Sequence, residues 1–292
     1  MSPVAYVTEL GNTVQGSLLS KIISPAFVKG AVGVNSIARD NLPGKGQGNT
    51  KKIVKEGSIS VTNPQAESEP LAIGSGAEYT ETSVTLTAAK ACVVSGISLE
   101  QERFGTLTED KMMELATQAV GRAVSNDIIG MASGFSNGVT ASSVLTLQDL
   151  YTGQFTIFNS NTPNQEVPLH FIGSPRAISK IKTEMATTGA TPWVNESLLD
   201  ILVNLPATGG YMGSIPGLCD VYQTTGHATT GGDDQMPLMH PMWALAGMFD
   251  ALPEFWIQKR GAEGFYTEVA AAYFYDVVEV NDAAGVNVRA DT

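Results

Sequence analysis

The sequence predicts an α+β fold, and three features of its 292 residues support this prediction. Residues 41–105 alternate Thr, Ser, Val and Glu as strands do, yet they contain few large apolar side chains. A long amphipathic helix is predicted over 107–131. After it, short helices alternate with strands, and residues 246–292 return to strands alone.

The strand-like region 41–105 points first to assembly. Strands are predicted at 83–87 and 90–95, after a Gly- and Lys-rich stretch at 43–52. A two-stranded ribbon alone in water is marginally stable at best. Because this ribbon has so little apolar surface, we expect it to lie on a neighbouring subunit.

Composition limits the class of protein. Apolar residues make up 43 % of the chain and charged residues only 16 %, which fits a folded protein whose surface is largely covered by copies of itself, although many monomers share this composition. The net charge of −12 argues against general nucleic-acid binding, since phosphate contacts need clustered Lys and Arg. No apolar run is long enough to span a membrane, and residues 1–4 lack the pattern of a signal peptide.

The long helix is predicted to begin at a capping box formed by Thr106 and Glu109. Asp127 falls back on the apolar stripe of this helix while Ile128 and Ile129 leave it, so the helix is expected to bend there or to meet a different surface. The stripe itself contains Met112, Met113, Ala116, Ala119, Val120, Ala123 and Val124. The opposite face contains Glu114, Gln118, Arg122 and Ser125.

Helix-capping residues and strand patterns predict the helices and strands that follow the long helix. Thr146 and Asp149 cap a short helix, and Ser174 caps another that has Pro175 in its first turn. A buried strand is predicted at 168–172, just before that second helix. The C-terminal strands are predicted at 243–249, 255–257, 269–280 and 286–289.

Residues that could carry chemistry are few. The glycine-rich segment 44–48 has neither dinucleotide-binding nor P-loop spacing, so a hairpin base is the better interpretation. Asp233 and Asp234 are more typical of a solvated turn than of a weak divalent-cation site. Cys92 and Cys219 lie far apart in apolar runs and are predicted to be buried free thiols. Zinc-ligand spacing is lacking for His170, His227 and His240.

The sequence therefore predicts no catalytic residue, no cofactor and no metal site. No Gly-x-Ser-x-Gly elbow precedes a predicted helix, so a serine hydrolase has little support from the sequence. A soluble oligomeric α/β enzyme that dimerises through its β-arm remains the alternative from another class of protein.

Three segments, together with the order of the elements, resemble one known family. Residues 91–100 (ACVVSGISLE) are similar to the strand and turn before the family's long spine helix. Residues 171–176 (FIGSPR) resemble a strand-to-helix step in its axial domain, and residues 213–221 (GSIPGLCDV) resemble a strand entry. In this combination the chain resembles the major capsid protein of tailed bacteriophages, which has the HK97-like fold.

The resemblance implies a division of the chain into capsid domains. These are an N-terminal arm at 1–46, an extended β-hairpin called the extension loop at 47–82, a peripheral domain at 83–145 with the spine helix 107–131, an axial domain at 146–245, and C-terminal strands at 246–292 that return to the peripheral domain.

The resemblance also implies a function. The subunit would self-assemble through pentamers and hexamers into an icosahedral shell around double-stranded DNA, which it would enclose without sequence-specific binding. It would be part of the virion, after assembly in the host bacterial cytoplasm. Its partners would be its own copies, a separate scaffolding protein, a portal and, optionally, a decoration protein, with no cofactor and no membrane contact. An encapsulin-type nanocompartment shares the fold and remains an alternative.

The predicted contacts between subunits lie in the extension loop. Its lysines are expected to pair with acidic residues of a neighbour, and the residues concerned are Lys51, Lys52, Lys55, Glu67, Glu69, Glu78 and Glu81. Exposed ion pairs contribute only about 0–1 kcal/mol each. Cohesion must therefore come from a large buried area. Some members of the family crosslink a loop lysine to an asparagine of a neighbour, but this chain has no specific matching motif.

Overall fold

The computed structural model describes residues 27, 31–43, 48–55, 82–105, 108–141, 144–160, 168–187, 210–227, 229–250, 253–260 and 266–291. Within these ranges the α-helices are α1 (Leu99–Phe104), α2 (Glu109–Ala132), α3 (Leu147–Asn159) and α4 (Pro175–Thr187). The strands are β1 (Ala38–Asn41), β2 (Thr50–Lys55), β3 (Thr82–Thr87), β4 (Ala89–Ser98), β5 (Gly138–Thr140), β6 (Leu169–Gly173), β7 (Tyr211–Ile215), β8 (Cys219–Gln223), β9 (Thr229–Thr230), β10 (Asp233–Met239), β11 (Leu245–Phe249), β12 (Glu254–Arg260), β13 (Tyr266–Glu279) and β14 (Gly285–Asp291). The predicted α+β class is confirmed.

The first sheet is built around the long strand β13. This strand pairs antiparallel with β4, β11 and β12, and β1 joins β11 in parallel. Val269, Ala271 and Tyr273 alternate along β13 and are buried in the same hydrophobic core as the inner face of α2. The long helix and the long strand therefore form the two sides of one core.

The second sheet has the order β5-β14-β10-β6-β8-β7, with β9 paired to β10. Strand β6 shows that both faces of this sheet are covered. Leu169 and Phe171 lie in a second core with buried side chains of α3 and α4, whereas Ile172 lies in the first core. The second sheet is therefore the layer between the two cores.

The long helix α2 begins later than predicted. Glu109 is its first residue, and the backbone N–H of Lys111 donates to the hydroxyl of Thr108 at 3.3 Å. The predicted capping box of Thr106 with Glu109 is therefore wrong, because the cap is Thr108. At about 1.5 Å per residue the helix is roughly 36 Å long.

The buried face of α2 is wider and more regular than the predicted stripe. Ala119 is exposed and Ser125 is buried, which reverses their predicted places. Asp127 is exposed while Ile128 and Ile129 are fully buried, so the predicted change of surface does not occur. The buried positions come as adjacent pairs four residues apart because α2 packs both on the first sheet and on a 3₁₀-helix at Val32–Ser36.

That 3₁₀-helix and β1 belong to the region predicted as the N-terminal arm. The backbone N–H of Gly33 donates to Ser125 Oγ at 3.3 Å, and a Cβ at Gly33 would lie 3.2 Å from Ile128. Glycine therefore permits the close approach of this segment to α2. Residues 31–41 are thus built into the body of the molecule, and most of the remaining predicted arm lies outside the described residues.

The two sheets do not follow all of the predicted domain boundaries. The C-terminal strands divide between them, because β11, β12 and β13 belong to the first sheet and β14 belongs to the second. Strand β5, which falls in the predicted peripheral domain, pairs in parallel with β14. In the described ranges, no helix combines the length and the apolar character needed to cross a membrane.

Candidate assembly surfaces

The base of the predicted extension loop is a separate two-stranded ribbon. Strands β2 and β3 pair antiparallel, from Thr50 opposite Thr87 to Lys55 opposite Thr82. The ribbon is attached to its own chain: Leu86 is fully buried, the backbone N–H of Thr87 donates to Asp276 at 2.5 Å, and Lys51 of β2 forms an ion pair with Asp40 of β1. The segment 56–81, which contains most of the predicted loop, lies outside the described residues.

The lysines predicted to contact a neighbour have different surroundings. Lys51 forms an ion pair with Asp40 of the same chain, and both side chains are more than one third exposed. Lys52 is exposed to solvent, and Lys55 lies at the end of β2. The predicted acidic partners Glu67, Glu69, Glu78 and Glu81 are outside the described residues. Their role in subunit contacts stays a prediction.

A polar junction joins the 3₁₀-helix to the second sheet. His170 Nδ1 lies 3.0 Å from the carbonyl oxygen of Ser36, so it must donate, and Nε2 lies 3.6 Å from a carboxylate oxygen of Asp220. Burial lowers the pKa of His170, while the Ser36 carbonyl and the Asp220 charge oppose that shift. The side chain is therefore a hydrogen-bonded, half-buried histidine, and its two partners come from different elements.

The cysteines differ in exposure. Cys219 is fully buried, and burial, reinforced by the charge of Asp220, raises the pKa of its thiol. Cys92 is exposed, so the prediction of a buried thiol is wrong there. The reason is that β4 is covered on one face only: Val93 packs against the first core while Cys92 and Val94 face outward.

The residues that the sequence suggested for chemistry do not form a common site in the described part of the chain. Asp233 and Asp234 are the first residues of β10 and not part of the turn, and Asp234 is buried. No three His, Cys, Asp or Glu residues in the described part of the chain are grouped as a metal site would require.

A groove of roughly 410 Å³ lies between α2 and β13. In it the Tyr275 hydroxyl donates to Asp127, and burial together with that carboxylate raises the pKa of Tyr275.

Solved structures match the chain over most of its length. A chain from Mycobacterium phage Che8 matches with a TM-score of 0.64 and 16 % identity, over 88 % of this chain and 90 % of that one. A chain from the capsid of cyanophage P-SCSP1u gives 0.60 and 9 %, over 89 % and 88 %. A chain of the holo-SrpI encapsulin complex from Synechococcus elongatus gives 0.56 and 11 %, over 92 % and 89 %.

Sequence comparison alone does not find these relationships: no family model and no curated protein sequence matches the chain. At identities this low, the structural matches establish the fold and leave the activity to be argued separately. They confirm the resemblance that the three sequence segments indicated. The chain has the HK97-like fold found in phage capsids and in an encapsulin shell.

Proposed function

We propose that this protein is the major capsid subunit of a tailed bacteriophage, and that its work is self-association into a closed shell. The observation that carries this proposal is the structural match to phage capsid and encapsulin chains over 88–92 % of this chain. The subunits would form pentamers and hexamers through heterologous contacts, since such contacts close into rings. The rings would then tile an icosahedral shell around double-stranded DNA.

Two features of the chain support this role. Among the described strands, the ribbon of β2 and β3 is anchored at its base by Leu86 and Asp276 and pairs with neither of the other sheets, and we expect residues 56–81 to lie across a neighbour. The net charge of −12 is compatible with a shell that encloses DNA without binding it tightly. A scaffolding protein, a portal and an optional decoration protein would complete the assembly in the bacterial cytoplasm.

An encapsulin-type nanocompartment is the second candidate, because the encapsulin chain matches 92 % of this chain. The neighbouring genes would separate the two. Portal, terminase and protease genes favour a phage, whereas a gene for a cargo enzyme favours a nanocompartment.

Size-exclusion chromatography followed by negative-stain electron microscopy of the full chain tests the proposal. A shell protein gives closed particles of megadalton mass, alone or with its scaffolding protein. A uniform dimer or tetramer under both conditions would contradict the proposal and favour a soluble oligomeric enzyme.

A further inference from the structure

The first sheet carries two carboxylates and a methionine in one row on its outer face. The strand registers place Asp276 of β13 opposite Met248 of β11, and Met248 opposite Asp40 of β1. Side chains of directly paired residues lie on the same face of a sheet. This face is turned away from α2, because the neighbouring residues Val277 and Phe249 lie in the first core. We call Asp40, Met248 and Asp276 the outer row.

The ribbon of β2 and β3 contacts both ends of the outer row. On one side, the backbone N–H of Thr87 donates to Asp276 at 2.5 Å. On the other side, Lys51 forms an ion pair with Asp40. Met248 lies between these two points in the strand register, and it is fully buried although it belongs to neither of the two cores. The ribbon therefore crosses the outer face of the first sheet above Met248.

The two faces of the ribbon differ in burial. Lys51 and Leu86 are directly paired across it, and so are Lys52 and Thr85. Leu86 is fully buried and Lys51 is partly buried, whereas Lys52 and Thr85 are exposed. Leu86, like Met248, is buried outside both cores, which is the position expected of a side chain that packs between the ribbon and the sheet. The first pair therefore faces the sheet, and the second pair faces outward.

The Thr87 N–H serves the attachment of the ribbon and not its internal pairing. The Ala88 N–H donates to the carbonyl oxygen of Asn49 on the partner side at 2.8 Å. Successive residues of antiparallel strands point their N–H groups alternately toward and away from the partner strand. The Thr87 N–H therefore points away from β2, toward the carboxylate of Asp276. The other oxygen of this carboxylate accepts from the Val277 N–H at 3.0 Å, which orients it.

We propose that the outer row fixes the direction in which the ribbon leaves the body of the subunit, before subunits meet. Leu86 packs on Met248, while Asp276 and Asp40 hold β3 and β2 on either side of it. A segment whose direction is already set in the free subunit loses less conformational freedom when it binds a neighbour, and this favours association. The inference rests on the proposed function, and it makes Asp40 and Asp276 positioning residues for the extension loop.

Hydrogen exchange of the Thr87 amide, resolved by residue in unassembled subunits of the full chain, tests this attachment. Leu86→Ala should accelerate the exchange at least about tenfold, because a fully buried leucine is lost and the ribbon leaves the sheet more often. Thr85→Ala changes the neighbouring residue on the exposed face and is the matched control. It should exchange at the wild-type rate, and the Tm of both variants should show that the body folds.

An exchange of charges tests the contact with Asp40. Lys51→Glu brings two carboxylates together and should accelerate exchange of the Thr87 amide about two- to fivefold, the effect expected of an exposed ion pair. Adding Asp40→Lys should restore the wild-type rate, because the pair forms again with opposite polarity. This restoration acts only through contact of the ribbon with β1, where Asp40 lies. Lys52→Glu makes the same change on the outward face and should exchange as the wild type does.

Sedimentation velocity under assembly conditions separates this inference from the proposed function. Leu86→Ala should lose closed particles that Thr85→Ala still forms. If the wild type forms no particles, the proposed function fails, and with it the role of the outer row in assembly. If particles form but Thr87 exchange is unchanged in Leu86→Ala, or the reversed charges restore nothing, the function stands and the attachment is wrong. If exchange is faster and Leu86→Ala still assembles like its control, the outer row does not prepare the ribbon for assembly, and the proposal is overturned.

Discussion

At the scale of single residues, the two cysteines show how a covered or uncovered strand face decides the environment of a side chain. Cys92 and Cys219 both lie in apolar runs of sequence, yet only Cys219 is buried. Strand β8 is covered on both faces, whereas β4 is covered by the first core on one face only. The chemical difference that follows is one of thiol accessibility.

Thiol labelling should separate the two cysteines. In the native monomer, Ellman's reagent is expected to react with Cys92 and leave Cys219 unmodified, because burial both shields the Cys219 thiol and raises its pKa. In denaturant both should react. A Cys92→Ala variant serves as the control and should show no fast native labelling. Equal labelling of both thiols in the native chain would contradict the assigned burial.

The His170 junction predicts a dependence of stability on pH. Burial places the pKa of folded His170 below its ordinary value of 6.5, so the unfolded chain binds the proton more readily. The stability associated with neutral His170 is therefore complete above pH 6.5 and is lost as the pH falls from there towards the lower folded value.

His170→Gln provides the matched control for this effect, since its side-chain amide can still donate to the Ser36 carbonyl and does not titrate. Between about pH 7.5 and 5.5, the Tm of the wild type should fall more steeply than that of His170→Gln. Parallel melting curves for the two proteins across this range would show that His170 does not contribute.

At the scale of elements, helix α2 offers a direct test of which face is buried. Ala116 is 5 % exposed in the first core, whereas Ala119, less than one turn away, is exposed. Ala116→Asp should destabilise the chain by several kcal/mol and give insoluble protein, because it buries an unpaired charge. Ala119→Asp adds the same charge to the same helix and should leave the Tm nearly unchanged. Soluble, equally stable protein from both variants would mean that the helix face is wrongly assigned.

The positions of the elements could be predicted from the sequence largely because their signals are local. The strand predicted at 286–289 is β14, and Ser174 caps α4 beside Pro175 as expected, with the Ala177 N–H 3.3 Å from Ser174 Oγ. The place of each element in the sheets could not be predicted. β1 joins β11, and β14 leaves the other C-terminal strands for the second sheet, through pairings between residues distant in sequence.

The errors on α2 have the same physical origin. The predicted stripe assumed one partner surface, but the 3₁₀-helix at Val32–Ser36 gives the helix a second one, which buries Ser125 as well as Ile128. The ion pair of Lys51 with Asp40 could not be predicted either, because no sequence pattern indicates that these two residues are neighbours in the fold. The outer face of α3 is recognisable in the sequence as a set of uncharged residues at helical spacing. That these residues are exposed is known only from the structure.

At the scale of the whole molecule, weak contacts repeated over many copies explain how a shell could both close and correct itself. A single exposed ion pair is worth about 0–1 kcal/mol, so a misplaced subunit can leave again. Closure would then depend on surfaces that extend from one subunit to the next. The ribbon of β2 and β3 is the structural feature that most directly suggests such a surface.

Truncation of the predicted extension loop is the most direct test of whether this segment joins subunits into a shell. The design removes residues 56–81 and joins Lys55 to Thr82 through Asn-Gly, because these two residues lie directly opposite each other and a two-residue turn fits that geometry. The paired base, with Leu86 buried, is kept, so the body should fold with a Tm close to that of the wild type. Sedimentation velocity of the two proteins under identical assembly conditions is the measurement. Closed shells are expected for the wild type, and only monomers or small oligomers for the truncated chain. Closed shells of normal size from the truncated chain would show that the loop is not needed for assembly.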